Sequence, residues 1–209
     1  MKKIIHVAKN ELKKNNKIAL LIGILIIVGF IAGTLFITIL DQADKEIVLT
    51  SITDLFEKIK AREINYFYTL RTSIIANLFY VTAIYILGIS IIGIPIVMVM
   101  TFFKAFILGF SISAIIYSYQ LAGTVLSFVY TFPHQLLNVA IVGFMSIYSI
   151  KVSITLFSLI FSKKSINFKL IMKKYFVIFV TCVVLSIISS LLEAFFTPNF
   201  INLFSFLFN

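Results

Sequence analysis

Residues 18–40 read IALLIGILIIVGFIAGTLFITIL, an uncharged and almost wholly apolar run. A helix needs roughly 20 such residues to cross ~30 Å of hydrocarbon, so this run is long enough to span a membrane. It is longer than the core of an ordinary signal peptide, and no convincing small-residue cleavage site follows, so it reads as a retained span. The rest of the chain has the same character: 61% hydrophobic, 12% charged, mean hydropathy +1.10. A soluble domain of 209 residues cannot hide so much apolar surface. The apolar runs are long and lack strand-like alternation. The fold class is therefore all-α, a polytopic membrane helical bundle, not an outer-membrane barrel.

Working outward from the first span, residues 41–71 form the only sizeable polar segment. Residues 72–150 then carry a single formal charge, Lys104. Breaks at Ile92-Gly93-Ile94-Pro95 and at Tyr117-Ser118-Tyr119-Gln120 divide that stretch into spans at 72–92, 95–117 and 123–150, with Pro133 starting or kinking a section of the last. Residues 163–174 are basic, 175–197 form the fifth span, and an apolar tail ends the chain. Lys2, Lys3, Lys9, Lys13, Lys14 and Lys17 precede the first span, and Lys163, Lys164, Lys169, Lys173 and Lys174 precede the fifth. Residues 41–71 instead mix five basic with six acidic side chains. Positive charge marks the cytoplasmic side, which puts 1–17 and 163–174 inside and 41–71 outside. The net charge of +10 thus belongs to membrane flanks and lipid headgroups and does not indicate nucleic acid. Cys182 lies alone in an apolar span and has no cysteine to pair with inside the chain.

Within the outer loop, Ile52, Leu55, Phe56 and Ile59 follow the i, i+3, i+4, i+7 spacing of one apolar helical face. Ser51 is placed to cap that helix, with Asp54 near its positive end. Such a helix either packs as a lid over the span ends or presents its apolar face to a partner. Small residues recur at helix-contact spacing: Ala19 and Gly23, Gly29 and Gly33, then Ala105, Gly109 and Ser113. They allow close backbone approach, within one chain or between two copies in a homodimer.

Polar residues inside the spans are the candidate functional groups. Glu193 is the only acid after Glu63. An acid in a lipid-soluble stretch is costly, so it has a partner or a task. Ser186, Ser190, Glu193 and Thr197 fall within about 60° of one another around a regular helix, so the stripe points into the protein. Arg71, at the mouth of the second span, matches Glu193 in depth and is the expected ionic partner. The alternative is a protonated Glu193 donating to a backbone carbonyl. Lys104 is expected to snorkel toward the cytoplasmic surface. His134 and Asn138 share a face of the fourth span. They meet Glu193 only if that span is broken or tilted, which Pro133 permits. No HExxH, GxSxG or phosphate-loop sequence is present, and no metal ligand set or cofactor is expected. The inventory points to a structural or binding role and not to an enzyme.

Several segments, in order, resemble the stage II sporulation protein M family over nearly the full length. A basic start leads into one span and an outer helical loop. Then come Leu87-Gly88-Ile89 through Gly93, and Phe103-Lys104-Ala105-Phe106-Ile107-Leu108-Gly109-Phe110-Ser111. Phe132-Pro133-His134 and Leu192-Glu193-Ala194-Phe195-Phe196-Thr197-Pro198 follow. Many wider-family members have a glycine and an acid after the Pro-His pair, where this chain has Gln135 and Asn138. The resemblance implies a non-enzymatic scaffold of the sporulation engulfment complex. Such a scaffold holds the peptidoglycan-degrading stage II sporulation proteins D and P at the septal membrane. The competing reading is a transport component with a polar intramembrane pathway. A third is an intramembrane hydrolase built on His134 and Glu193.

Overall fold

A computed structural model describes residues 16–131, 134–162 and 168–203 of the chain. The basic stretch before residue 16, the expected kink at Pro133, and Lys163 and Lys164 lie outside the described residues. Every element among the described residues is helical: α1 (Asn16–Ile39), α2 (Gln42–Lys60), α3 (Tyr66–Leu87), α4 (Gly93–Thr131), α5 (Gln135–Ser162), α6 (Phe168–Leu191), a π-helical turn (Leu192–Phe196) and α7 (Thr197–Leu203). Five stretches, carried by α1, α3, α4, α5 and the run from α6 through α7, are long and apolar enough to cross a membrane. The chain is a multi-pass membrane protein with α2 as a separate amphipathic helix between the first two spans.

α5 is the central helix. Of its apolar window 67% is buried, against 22% in α1. Serines take the place of large side chains where it meets α3 and α4. Ser146, Ser149 and Ser153 are fully buried at i, i+3, i+7. Ser146 shares a 2.7 Å hydrogen bond with Thr101 of α4. Ser149 donates to the Ile84 carbonyl at 3.0 Å and Ser153 to the Ser90 carbonyl at 2.8 Å. Tyr175 of α6 donates to the Tyr85 carbonyl at 2.9 Å while its ring stacks on Tyr85. The last carbonyls of a helix have no partner inside it and cannot be left bare in a membrane. Ser149 and Tyr175 thus bond carbonyls of the last turn of α3, and Ser153 one in the turn that follows it.

The small-residue spacings are used within the chain. α1 and α4 touch backbone to backbone. A Cβ on Gly29 would lie 2.6 Å from the Phe102 carbonyl oxygen. On Gly33 it would strike the Phe106 carbonyl, and on Gly109 the Phe30 carbonyl. Ala105 is fully buried in the same seam, and Ser113 donates to the Phe110 carbonyl at 3.0 Å. A homodimer cannot use this seam, because the chain already fills it. Gly23, by contrast, has nothing within 4 Å of its Cβ position.

Three boundaries differ from those the sequence implies. α3 starts at Tyr66 and not at Thr72, because Asn65 caps it by accepting from the Tyr68 amide at 3.0 Å. α2 starts at Gln42, so Ser51 is mid-helix and donates to the Ile47 carbonyl at 2.8 Å. α2 ends with Arg62 at φ 57° and the Glu63 amide donating back to Lys58 at 3.0 Å, a left-handed helix stop. The fourth span is not the single stretch 123–150. Gln120, at φ 52° and ψ −124°, breaks α4 into a long arm and a short one. Gly123 lets the short arm sit on the long one: a Cβ there would lie 2.5 Å from the Ile115 carbonyl oxygen. The fourth membrane-crossing helix is α5.

The short arm completes a second apolar core at the α2 end of the bundle. Phe56 and Ile59 of α2 pack there with Ile115, Leu126 and Ile201. Ile52 lies against this cluster. The apolar face Ile52, Leu55, Phe56 and Ile59 is therefore not a partner surface. Phe56 and Ile59 are each 2% exposed, Ile52 is half-buried and Leu55 is exposed. Burying such a face gains more than leaving it in water, which is why α2 closes as a lid. Phe56→Ala is expected to cost about 3–5 kcal/mol, whereas Leu55→Ala changes stability little. Unfolding in detergent tests this, and equal effects of the two changes would contradict the packed lid.

Candidate functional site

α6 buries Ser186, Ser189 and Ser190. The π-helical turn then adds a residue to the helical repeat before Thr197. π-turns inside membrane helices concentrate where a side chain has to be re-aimed. Here the turn leaves Thr197 donating to the Leu192 carbonyl at 3.3 Å and paired with His134 Nδ1 at 3.2 Å. The His134 backbone carbonyl accepts from Ser189 at 3.0 Å. The start of α5 is thereby tied to the end of α6 from two sides.

Glu193, in the same π-turn, accepts a 2.5 Å hydrogen bond from Ser73 of α3. Asn77, one helical turn along α3, links the remaining groups. Its amide nitrogen donates to Ser73 at 3.3 Å and to Ser190 at 3.1 Å. Its amide oxygen accepts from Lys104 Nζ at 3.2 Å. Ser190 passes its own hydrogen to the Ser186 carbonyl at 3.0 Å. Lys104 also lies over the Tyr80 ring, 4.7 Å from its centre.

Arg71 is not the partner of Glu193. It is exposed, two residues from Ser73 and so on another face of α3, and Ser73 takes the carboxylate instead. Lys104 does not snorkel to the surface. It turns inward to Asn77, because a partner inside the bundle saves it from hydrocarbon. Ser73 and Asn77 were the residues missed. Their signal is an amide and a hydroxyl at i, i+4 inside an apolar span, the spacing of polar residues that bond across membrane helices. Ser189 was missed too, although it lies three residues from Ser186.

Lys104, Asn77, Ser73, His134, Asn138 and Glu193 line one cavity of about 140 Å³. His134 and Asn138 thus share this cavity with Glu193. His134 Nε2 and Gln135 Oε1 are buried without a hydrogen-bond partner. Ala76 and Ile107, also on the cavity lining, are exposed and form its rim between α3 and α4. Among the described residues, no group of three or more His, Cys, Asp or Glu is placed to hold a metal. The site can bind a small polar species or hold water. Its hydrogen bonds do not run from a hydroxyl through an imidazole to a carboxylate, since Glu193 bonds Ser73 while His134 bonds Thr197.

The sequence model described as stage II sporulation protein M matches residues 20–198, from α1 into α7. No curated protein and no solved structure matches the chain.

Proposed function

We propose, from the premise that this chain belongs to the stage II sporulation protein M family, that it is a non-enzymatic scaffold of the engulfment machinery. It holds peptidoglycan-degrading enzymes, stage II sporulation proteins D and P, at the septal membrane. The observation that carries this reading is the α2 platform. Phe56 and Ile59 lock α2 onto the bundle, so its opposite face is held in fixed register. That face exposes Ser51, Asp54 and Lys58. By the distribution of lysines it points away from the cytoplasm, where the cell wall lies. A rigid helix with alternating charges is a suitable docking face, because pre-organisation lowers the entropy cost of binding and charge sets the register.

The double exchange Asp54→Lys and Lys58→Glu leaves the buried face intact. It is expected to lower co-purification of the hydrolases by about tenfold in mild detergent. Retention at the wild-type level, with the hydrolases still localised to the septum, would remove the scaffold reading.

A transport role is the second reading, favoured by the cavity that Lys104, His134 and Glu193 share. Inward-facing polar and ionisable groups in membrane helices mark pathways as well as structural pins. Solute flux into vesicles reconstituted with the pure protein separates this role from a scaffold.

A further inference from the structure

The cavity at the end of the α6 π-turn is lined by two chemically different sets of groups. Thr197 has a single hydroxyl hydrogen, and it goes to the Leu192 carbonyl. Thr197 Oγ1 and His134 Nδ1 lie 3.2 Å apart, and in the tautomer with the hydrogen on Nδ1 the hydroxyl oxygen accepts. His134 Nε2 is buried and without a partner, and in that tautomer it offers a lone pair to a donor. Gln135 Oε1 is a second acceptor in the same condition. Glu193 is the third, with one oxygen taken by Ser73. The donor is Lys104, whose ammonium spends one hydrogen on Asn77 and carries three. Asn138, 5% exposed, lines the same cavity.

The Lys104 ammonium and the Glu193 carboxylate thus face one cavity, and each is hydrogen-bonded to a neutral neighbour instead of to the other. Charges held apart in a membrane bundle are expensive unless something complementary completes them. An apolar cavity of ~150 Å³ holds one benzene ring, so this one admits about six non-hydrogen atoms. We propose that the cavity binds a small zwitterion: a primary ammonium donating to Glu193, His134 Nε2 and Gln135 Oε1, and an anionic oxygen group a few bonds away accepting from Lys104. A free amino acid of alanine's size and a phosphoethanolamine headgroup share this chemistry, the headgroup's about eight non-hydrogen atoms requiring part of its phosphate to lie at the rim. For the headgroup, the exposed rim at Ala76 and Ile107 leaves its tails in the bilayer. The site adds a ligand to the transport reading, yet it does not require flux, since a scaffold bundle gated by a ligand would bind the same species.

The full chain in phosphatidylglycerol nanodiscs is titrated with alanine, O-phosphoethanolamine, methylamine and acetate. Binding is read by calorimetry and by the rise in thermal midpoint that a ligand of the folded state produces. At least one compound carrying both charges is expected to bind saturably, with methylamine and acetate at least about tenfold weaker. Alternatively, discs containing phosphatidylethanolamine raise the midpoint with no soluble probe, which assigns the lipid as the source. Glu193→Gln and Lys104→Met are each expected to weaken binding by about tenfold or more. Ala76→Trp, at the rim and outside the hydrogen-bond network, is expected to block it in a protein that still folds. Wild-type affinity in folded Ala76→Trp would overturn the proposal. So would equal binding of the singly charged compounds, or no response to any zwitterion in either kind of disc. Loss of flux with retained binding would remove the transport reading alone.

Discussion

Gly33→Leu is expected to prevent α1 from docking on α4 and to lower stability by on the order of 3 kcal/mol or more. At Gly33 even a Cβ would strike backbone, the Phe106 carbonyl and the Phe110 amide, and not the far end of a flexible side chain. Backbone cannot step aside without moving the whole helix. Leucine adds a branched group to that collision. Gly109→Leu should be nearly as severe, since its Cβ would meet the Phe30 carbonyl, whereas Gly29→Leu has slightly more room. Gly23→Leu serves as the control, with nothing within 4 Å of its Cβ position. It swaps one lipid-facing group for another, and the better helix former gains a few tenths to about 1 kcal/mol. Unfolding of the four purified variants in the same detergent gives the ranking. If Gly23→Leu is as damaging as Gly33→Leu, the α1–α4 seam is not what holds the first span.

The contrast among these glycines shows what can and cannot be read from sequence. Gly29, Gly33, Ala105 and Gly109 announce close packing by spacing alone, but spacing does not say which helices meet, and Gly23 announces it falsely. Span existence follows from hydropathy because lipid imposes a single requirement, an apolar length. Helix ends do not, because a helix continues past the point where its side chains turn polar. Asn65 and Gln42 start their helices in polar sequence for that reason. The break at Gln120 falls in the Tyr117-Ser118-Tyr119-Gln120 stretch read as a turn, although the positive-φ residue is not a glycine and Gly123 follows three residues on. At the site, Glu193 and Thr197 were legible as an inward stripe. Ser73 was not, because its importance arises only when α3 and the π-turn come together. Arg71 looked right by depth, yet a helix face two residues away is the wrong face.

Asn77→Leu is expected to be among the most destabilising single changes in the bundle, on the order of 3 kcal/mol, although leucine suits a membrane helix better than asparagine. Asn77 is 5% exposed and bonds three side chains at once. Its replacement leaves the Lys104 ammonium with no hydrogen-bond acceptor on α3, and takes a donor from Ser73 and from Ser190. The penalty is mostly that of an abandoned charge, not of a lost contact, which gives a sharper test than one substitution. Lys104→Met removes the ammonium and keeps the apolar stem. Combined with Asn77→Leu, it should restore part of what Asn77→Leu loses, so the double variant is less damaged than the sum of the singles by about 1 kcal/mol or more. Adding Glu193→Gln to Asn77→Leu should not give that recovery, because Glu193 keeps its bond to Ser73. The three groups are then distinguishable by coupling alone: Lys104 strongly tied to Asn77, Glu193 tied to it only through Ser73. Effects of Asn77→Leu and Lys104→Met that add to within about 0.5 kcal/mol would mean the two side chains do not depend on each other. The ammonium would then face the cavity for some reason other than its amide partner.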